Sequence, residues 1–169
     1  MPDRTLKKNL APEKATHEAD QAAEKAAKIL GKTMDAAEKA HKDKETALTI
    51  AAAVATAGNG TDALDEVVEE TVDQAAVTTA VAEARLVVAE AATKEAKAKS
   101  DFAEAVEITT EAQEAVEAEP GSVAEKLADA SEALLKAVQT RVSVAESELK
   151  AAERFAQTVE KDVNDNTSK

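Results

Sequence analysis

From Thr61 to Glu119 the chain runs without a glycine or a proline, between Ala-Gly-Asn-Gly on one side and Pro-Gly-Ser on the other. Glycine and asparagine accept the left-handed conformation that closes a helix, and proline cannot continue one. The stretch therefore reads as a single helix, helix B, of roughly 60 residues and 85 Å at 1.5 Å per residue. A helix of that length draws its stability from packing an apolar face on neighbours. Val68, Ala75, Ala82, Ala89, Ala96 and Ala103 recur every seven residues, and Val72, Thr79, Leu86, Thr93 and Ser100 fall four residues after members of that series. Val67, Val81, Val88, Phe102 and Val116 form a second stripe. Two stripes on one helix predict two neighbouring helices, and the small residues allow close backbone approach. The β-branched residues oppose the helix only weakly, because period outweighs propensity.

Only 1% of the 169 residues are aromatic although 44% are hydrophobic, and much of that apolar fraction is alanine. A compact globule built from alanine buries little area per residue, so a long bundle with a narrow core suits the composition better. The net charge of −13 is unevenly spread: residues 1–50 carry +1, 51–121 carry −12 and 122–169 carry −2. An acidic helix B argues against nucleic-acid binding, which needs a basic surface. It also disfavours direct contact with anionic lipid. There is no cysteine, so thiol chemistry is excluded. No apolar run is long enough to cross a bilayer. The opening Met-Pro-Asp-Arg-Thr-Leu-Lys-Lys lacks the apolar core of a secretory signal. The expectation is an intracellular chain, or a mature ectodomain that begins with an added Met.

Three helices in one domain are expected, as an all-α, elongated up-down-up antiparallel bundle with a long central helix. Residues 1–11 read as a flexible lead-in, and Pro12 fits the first turn of helix A, over 12–57. Its expected seam is Ala23, Ala27, Leu30, Met34, Ala37, His41, Leu48, Ala51 and Ala55, interrupted at Lys44. Gly31 is read as a tolerated weakness rather than a break. Thr61 or Asp62 caps helix B, over 61–119, whose residues 91–101 carry few large apolar side chains. Ser122 and Glu125 form a capping box for helix C, over 122–163. Its seam reads Leu135, Val138, Val142, Ala145, Leu149, Ala152, Ala156, Val159 and Val163, widened by Leu127, Leu134 and Phe155. Residues 164–169 read as a disordered tail. Pairing outward from the two turns sets residue 13 near 106 and residue 163 near 78, so each end of helix B has one partner unless a second chain covers it.

Motifs that carry chemistry are scarce. Glu38 and His41 have the Glu-x-x-His spacing of di-iron bundles, but the second copy and two further glutamates are missing. Glu13 and His17, four apart, do not complete such a site. The run Asp162-Val163-Asn164-Asp165-Asn166 lacks the glycine and terminal glutamate of a calcium loop. No Ser/His/Asp set or glycine-rich phosphate loop can be assembled. No catalytic, metal or cofactor site is therefore expected. Asn59-Gly60-Thr61 and Asn166-Thr167-Ser168 fit the N-glycosylation pattern, so Asn59 and Asn166 are the candidate modification sites.

A cysteine-free, aromatic-poor chain dominated by Ala and Glu, with helices such as VAEARLVVAEAATKEAKAK and ITTEAQEAVEAE, resembles the glutamic acid/alanine-rich protein of African trypanosomes. The resemblance lies in composition and architecture, and no family residue is carried over. It implies an elongated bundle on the parasite surface, held by a C-terminal glycosylphosphatidylinositol anchor in insect-vector stages. The role it implies is a coat or host-interaction function without catalysis. The implied partners are a host or vector surface molecule, and the membrane only through a lipid anchor; a monomer is expected, with self-association open. The alternative is a helical-bundle binding module, either a surface receptor or an intracellular adaptor. Its mark would be an exposed apolar patch. A desiccation-type disordered protein is disfavoured by the Leu/Val seam of helix C.

Overall fold

A computed structural model describes the backbone of residues 5–57 and 62–167, with side chains described for 13–57, 62 and 64–165. The chain is all-α: α1 (Thr5–Ala57), α2 (Asp62–Ala118) and α3 (Ser122–Thr167) form a helical bundle, with no strand among the described residues. The helices hold 53, 57 and 46 residues. The expected contrast between one long central helix and two shorter ones thus gives way to two helices of nearly equal length and a shorter third.

Several boundaries differ from the sequence reading. α1 begins at Thr5, within the stretch read as a lead-in. Pro12 therefore lies inside the helix, where the missing N–H removes one bond of the ladder. Gly31 leaves α1 unbroken, as a tolerated weakness should, and α2 runs on through residues 91–101. The expected caps at Gly58, Asn59, Gly60 and Thr61 lie outside the described residues. At the second turn the Glu125 N–H donates to the Gly121 carbonyl at 3.0 Å. Gly121 thus provides the first helical acceptor, and the Ser122/Glu125 capping box is out of register by one residue. α3 extends to Thr167, into the expected tail.

Contacts divide the chain into two compact units, Met1–Lys28 with Ala91–Lys150 and Ile29–Glu90 with Ala151–Lys169. In the first, Thr16 Oγ1 donates to Glu107 Oε2 at 3.0 Å, and the Ser100 hydroxyl bonds the Asp20 carboxylate. Its α2 reaches α3 through Asp101–Arg141 at 3.3 Å, Lys99–Glu146 at 3.3 Å and Lys94–Glu148 at 3.7 Å. In each pairing, residue numbers fall along one helix as they rise along the other. In the second unit, Thr79 Oγ1 lies 3.2 Å from the Ala40 carbonyl and His41 Nε2 lies 3.0 Å from Glu83. Arg85 donates from Nε and Nη2 to Glu160 at 3.2 and 3.0 Å. The helix contacts are α1 with α2 and α2 with α3.

The buried positions explain that order. On α2, Ala75, Thr79, Ala82, Leu86 and Ala89 are buried or half-buried, and the same 4-3 spacing continues through Thr93, Ala96, Ser100 and Ala103. This is the first stripe of the sequence analysis, and its polar contacts lead to α1. A second row, Val81, Ala84, Val88 and Ala91, continues through Ala98, Phe102, Ala105, Thr109, Ala112 and Val116. It follows the first two residues out of step. At about 103° per residue in a heptad-wound helix, two residues place the second seam roughly 150° around the axis. α1 and α3 therefore lie on nearly opposite sides of α2 within each unit.

The interior is made of small side chains. Every buried apolar residue among those described is alanine except Val138, and the buried polar ones are Thr79, Thr109 and Ser131. Helices with alanine at the seam approach toward the close end of the usual 8–10 Å. Each methyl contributes little, so cohesion comes from many dispersion contacts spread along the helices. The buried hydroxyls need partners, and they find carbonyls: Thr79 shares its proton between Ala75 at 2.8 Å and Ala40, and Thr109 between Ala105 at 2.7 Å and Ser131 at 3.2 Å.

Candidate interaction surface

The residues with chemical potential are separated by the fold. Glu38 and His41 share α1 but turn to different partners. The Glu38 carboxylate accepts a bond from Lys42 Nζ at 2.5 Å, which holds its pKa below the ordinary carboxylate range. His41 pairs with Glu83 across to α2. His17 lies 2.9 Å from Gln21 Nε2, a contact along its own helix. Among the described residues no group of three His, Asp or Glu side chains is placed to hold a metal ion. The calcium-like run from Asp162 lies within α3, which gives it helical rather than loop geometry. Asn59 lies outside the described residues; Asn166 stands in the last turn of α3, with its side chain outside them.

Exposed hydroxyls are tied to the backbone. Thr46, Thr49 and Thr78 each donate to the carbonyl four residues earlier, at 2.8 Å. This is the usual way for threonine to satisfy itself within a helix.

What remains is surface. In the second unit a groove of about 370 Å³ runs between α1 and α2, lined by Thr33, Ala36, Ala40, Val77, Val81 and Arg85. The Arg85 guanidinium at its edge is bound to Glu160. Glu66, Glu69, Glu70 and Asp73 line another shallow groove on α2. There the α3-side row is exposed at Val67, Glu70 and Gln74, in agreement with the expected lack of a third helix at the start of helix B.

The first unit bears an apolar strip on α3. Val123, Leu127, Leu134 and Val144 are all exposed, Val123 to 80%. Leu127 and Leu134 were expected to widen the core seam, as was Phe155 in the other unit, and all three face outward instead. They stand one residue before the seam positions Ala128, Leu135 and Ala156, about 100° around a helix already committed to a narrow alanine contact. On α2 the exposed Ile108 lies one heptad beyond Asp101, whose carboxylate meets Arg141. Leu134 lies one heptad before Arg141, so the same rung carries ions at one step and apolar groups at the next. Ala115, Pro120, Val123 and Leu127 line a shallow pocket of about 800 Å³ at the turn into α3. No helix among the described residues is long and apolar enough to cross a membrane.

No protein-family model matches this chain, and neither a curated protein nor a solved structure matches it.

Proposed function

We propose that this chain is a non-enzymatic surface coat protein of the glutamic acid/alanine-rich type, an elongated acidic rod in which three helices run up, down and up. The observation that carries this reading is the pair of heptad seams on α2, two residues out of step, with alanine at most buried positions. Such seams support long helices side by side and enclose little volume. The acidic face of α2 keeps neighbouring rods soluble at high density. On this reading the chain is held to the trypanosome surface by a lipid anchor beyond Lys169, protects the cell, and meets host or vector molecules. Asn59 and Asn166 are the positions at which it would carry glycans.

Two measurements test the reading. Small-angle scattering should give a maximum dimension of roughly 80–90 Å, the length of α2 at 1.5 Å per residue; a near-spherical profile sinks the rod. Antibodies to residues 114–126 should stain intact trypanosomes, and phosphatidylinositol-specific phospholipase C should release the antigen. Antigen confined to the cell interior overturns the coat assignment and favours the intracellular adaptor.

The second reading, a binding module, draws on the exposed strip of Val123, Leu127, Leu134 and Val144. It requires that a partner's affinity fall when that strip is made polar.

A further inference from the structure

The exposed residues of α3 in the first unit have a spacing of their own. Val123, Leu127, Ala130, Leu134, Ala137 and Val144 are all exposed. With Arg141 between the last two, they follow an unbroken 4-3 alternation, the pattern by which one helix packs against another. They therefore form a second heptad seam on a helix whose first seam is already filled by α2.

We infer that this seam takes the same seam of a second copy of the chain, lying antiparallel to it. The order of sizes selects the antiparallel arrangement. With the two-fold axis between residues 130 and 134, Leu127 meets Ala137 of the partner copy and Ala130 meets its Leu134, so the four central layers each set a large side chain against a small one, and at the two ends Val123 meets the aliphatic stem of Arg141. A parallel pairing sets Leu against Leu and Ala against Ala, and opposes the two Arg141 side chains. Along the outer border of the seam Ala133 faces its own twin and Lys126 faces Thr140, so no like charges meet there.

The area decides the strength. Given their exposures, Val123, Leu127, Leu134, Val144 and Ile108 with the two alanines offer roughly 500 Å² per copy, or about 1,000 Å² for the pair. That is the lower limit of a specific interface, so the association is a weak one, to be sought at high protein concentration. Each copy carries a net charge of −13, and Glu104 and Glu111 flank Ile108. Salt screens that repulsion and leaves the apolar contact intact, so association tightens as ionic strength rises. This inference is independent of the coat assignment, which could fail while the dimer stands.

Sedimentation equilibrium from about 5 to 500 µM, at low and at physiological salt, tests it directly. The wild-type mass should rise toward the dimer, at lower protein concentration in the higher salt. Leu127→Glu with Leu134→Glu should weaken association roughly tenfold or more, while Ile29→Glu, on an exposed position of α1, should leave it unchanged. Far-ultraviolet melting checks that the variants fold. Because the chain has no cysteine, cross-linking reads the register separately: Ala133→Cys should form a disulfide-linked dimer readily, and Val123→Cys poorly. A wild-type chain that stays monomeric throughout, association that weakens with salt, equal loss in Ile29→Glu, or equal cross-linking at both cysteines would each overturn the proposal.

Discussion

The two compact units use the same device in opposite directions. In the unit built from Ile29–Glu90 and Ala151–Lys169, the buried hydroxyl of α2 is Thr79, which reaches the Ala40 carbonyl of α1. In the unit built from Met1–Lys28 and Ala91–Lys150 it is Thr109, which reaches the Ser131 carbonyl of α3. Thr79 belongs to the seam with α1 and Thr109 to the seam two residues out of step. The units differ in their margins. Among the described residues three ion pairs join α2 to α3 in the first, whereas Arg85–Glu160 does so in the second. These pairs are exposed and each contributes little. The comparison therefore teaches that the alanine seam, common to both units, sets stability, whereas the charged margin varies between them and adds little.

The largest effect should come from a charge placed within the seam. Among the described residues Val138 is the one buried apolar side chain larger than alanine. Val138→Asp buries a carboxylate opposite α2 without a cation, and should cost about 3–5 kcal/mol or unfold its unit. Hydrogen exchange should show amides of 91–150 losing protection before those of 29–90. Equal loss in both would mean that the two units unfold as one.

Overpacking comes next. Ala84 is 1% exposed and Ala105 2%, one in each unit, both on the row that faces α3. Leucine at either position forces the helices apart and should cost about 1–3 kcal/mol, read as a lower urea midpoint. If either variant is as stable as wild type, that alanine contact is looser than its burial indicates.

Those two alanines also show what the sequence reveals. The α3 seam from Leu135 to Val163 is fully legible, because its large side chains and its period agree. The first stripe of α2 is legible from its period alone, because its side chains are mostly small. On α1 the sequence reading finds one row of the heptad, Ala23, Leu30, Ala37 and Ala51, and misplaces the other by one residue. Met34, His41 and Leu48 are exposed, and their neighbours Thr33, Ala40 and Ala47 turn inward. Lys44, read as an interruption, lies half-buried on the seam itself. The physical reason is common to Leu127, Leu134 and Phe155. A search for a core favours large apolar residues, but closely approaching helices select small ones. The row Ala84, Ala91, Ala98, Ala105 and Ala112 escapes notice among so many alanines, although its seven-residue period was available. The apolar strip of α3 was legible as residues but not as a surface, because its exposure depends on α2 having taken the adjacent face.

A smaller effect should come from the two hydroxyl contacts. Thr79→Val and Thr109→Val keep the shape and remove the proton shared between two carbonyls. The helix bond to the carbonyl four residues back is made by its own backbone N–H in any case, so each loss should be about 1 kcal/mol. Both melting temperatures should fall by similar amounts. A drop confined to Thr109→Val would show that the α2–α3 contact depends on its polar bond and the α1–α2 contact does not.

The smallest effect belongs to the exposed pairs along α1. Glu24 with Lys28 stands in one unit and Glu38 with Lys42 in the other. In each the lysine's hydrogen bond, and then its charge, lowers the glutamate pKa. A carboxyl whose folded pKa is depressed adds stability above its unfolded pKa, and that stability is lost as pH falls through the folded value. Any advantage of wild type over Glu24→Gln or Glu38→Gln should therefore exist at neutral pH and vanish in acid, below the depressed values. Both carboxylates stand in solvent, where screening removes most of the pair's attraction. The melting temperatures of wild type and the two variants should coincide at physiological salt and separate slightly, if at all, at low salt. A clear gap at neutral pH and high salt, in either variant, would mean that one unit depends on its charged margin, and would break the rule that the alanine seams set stability in both.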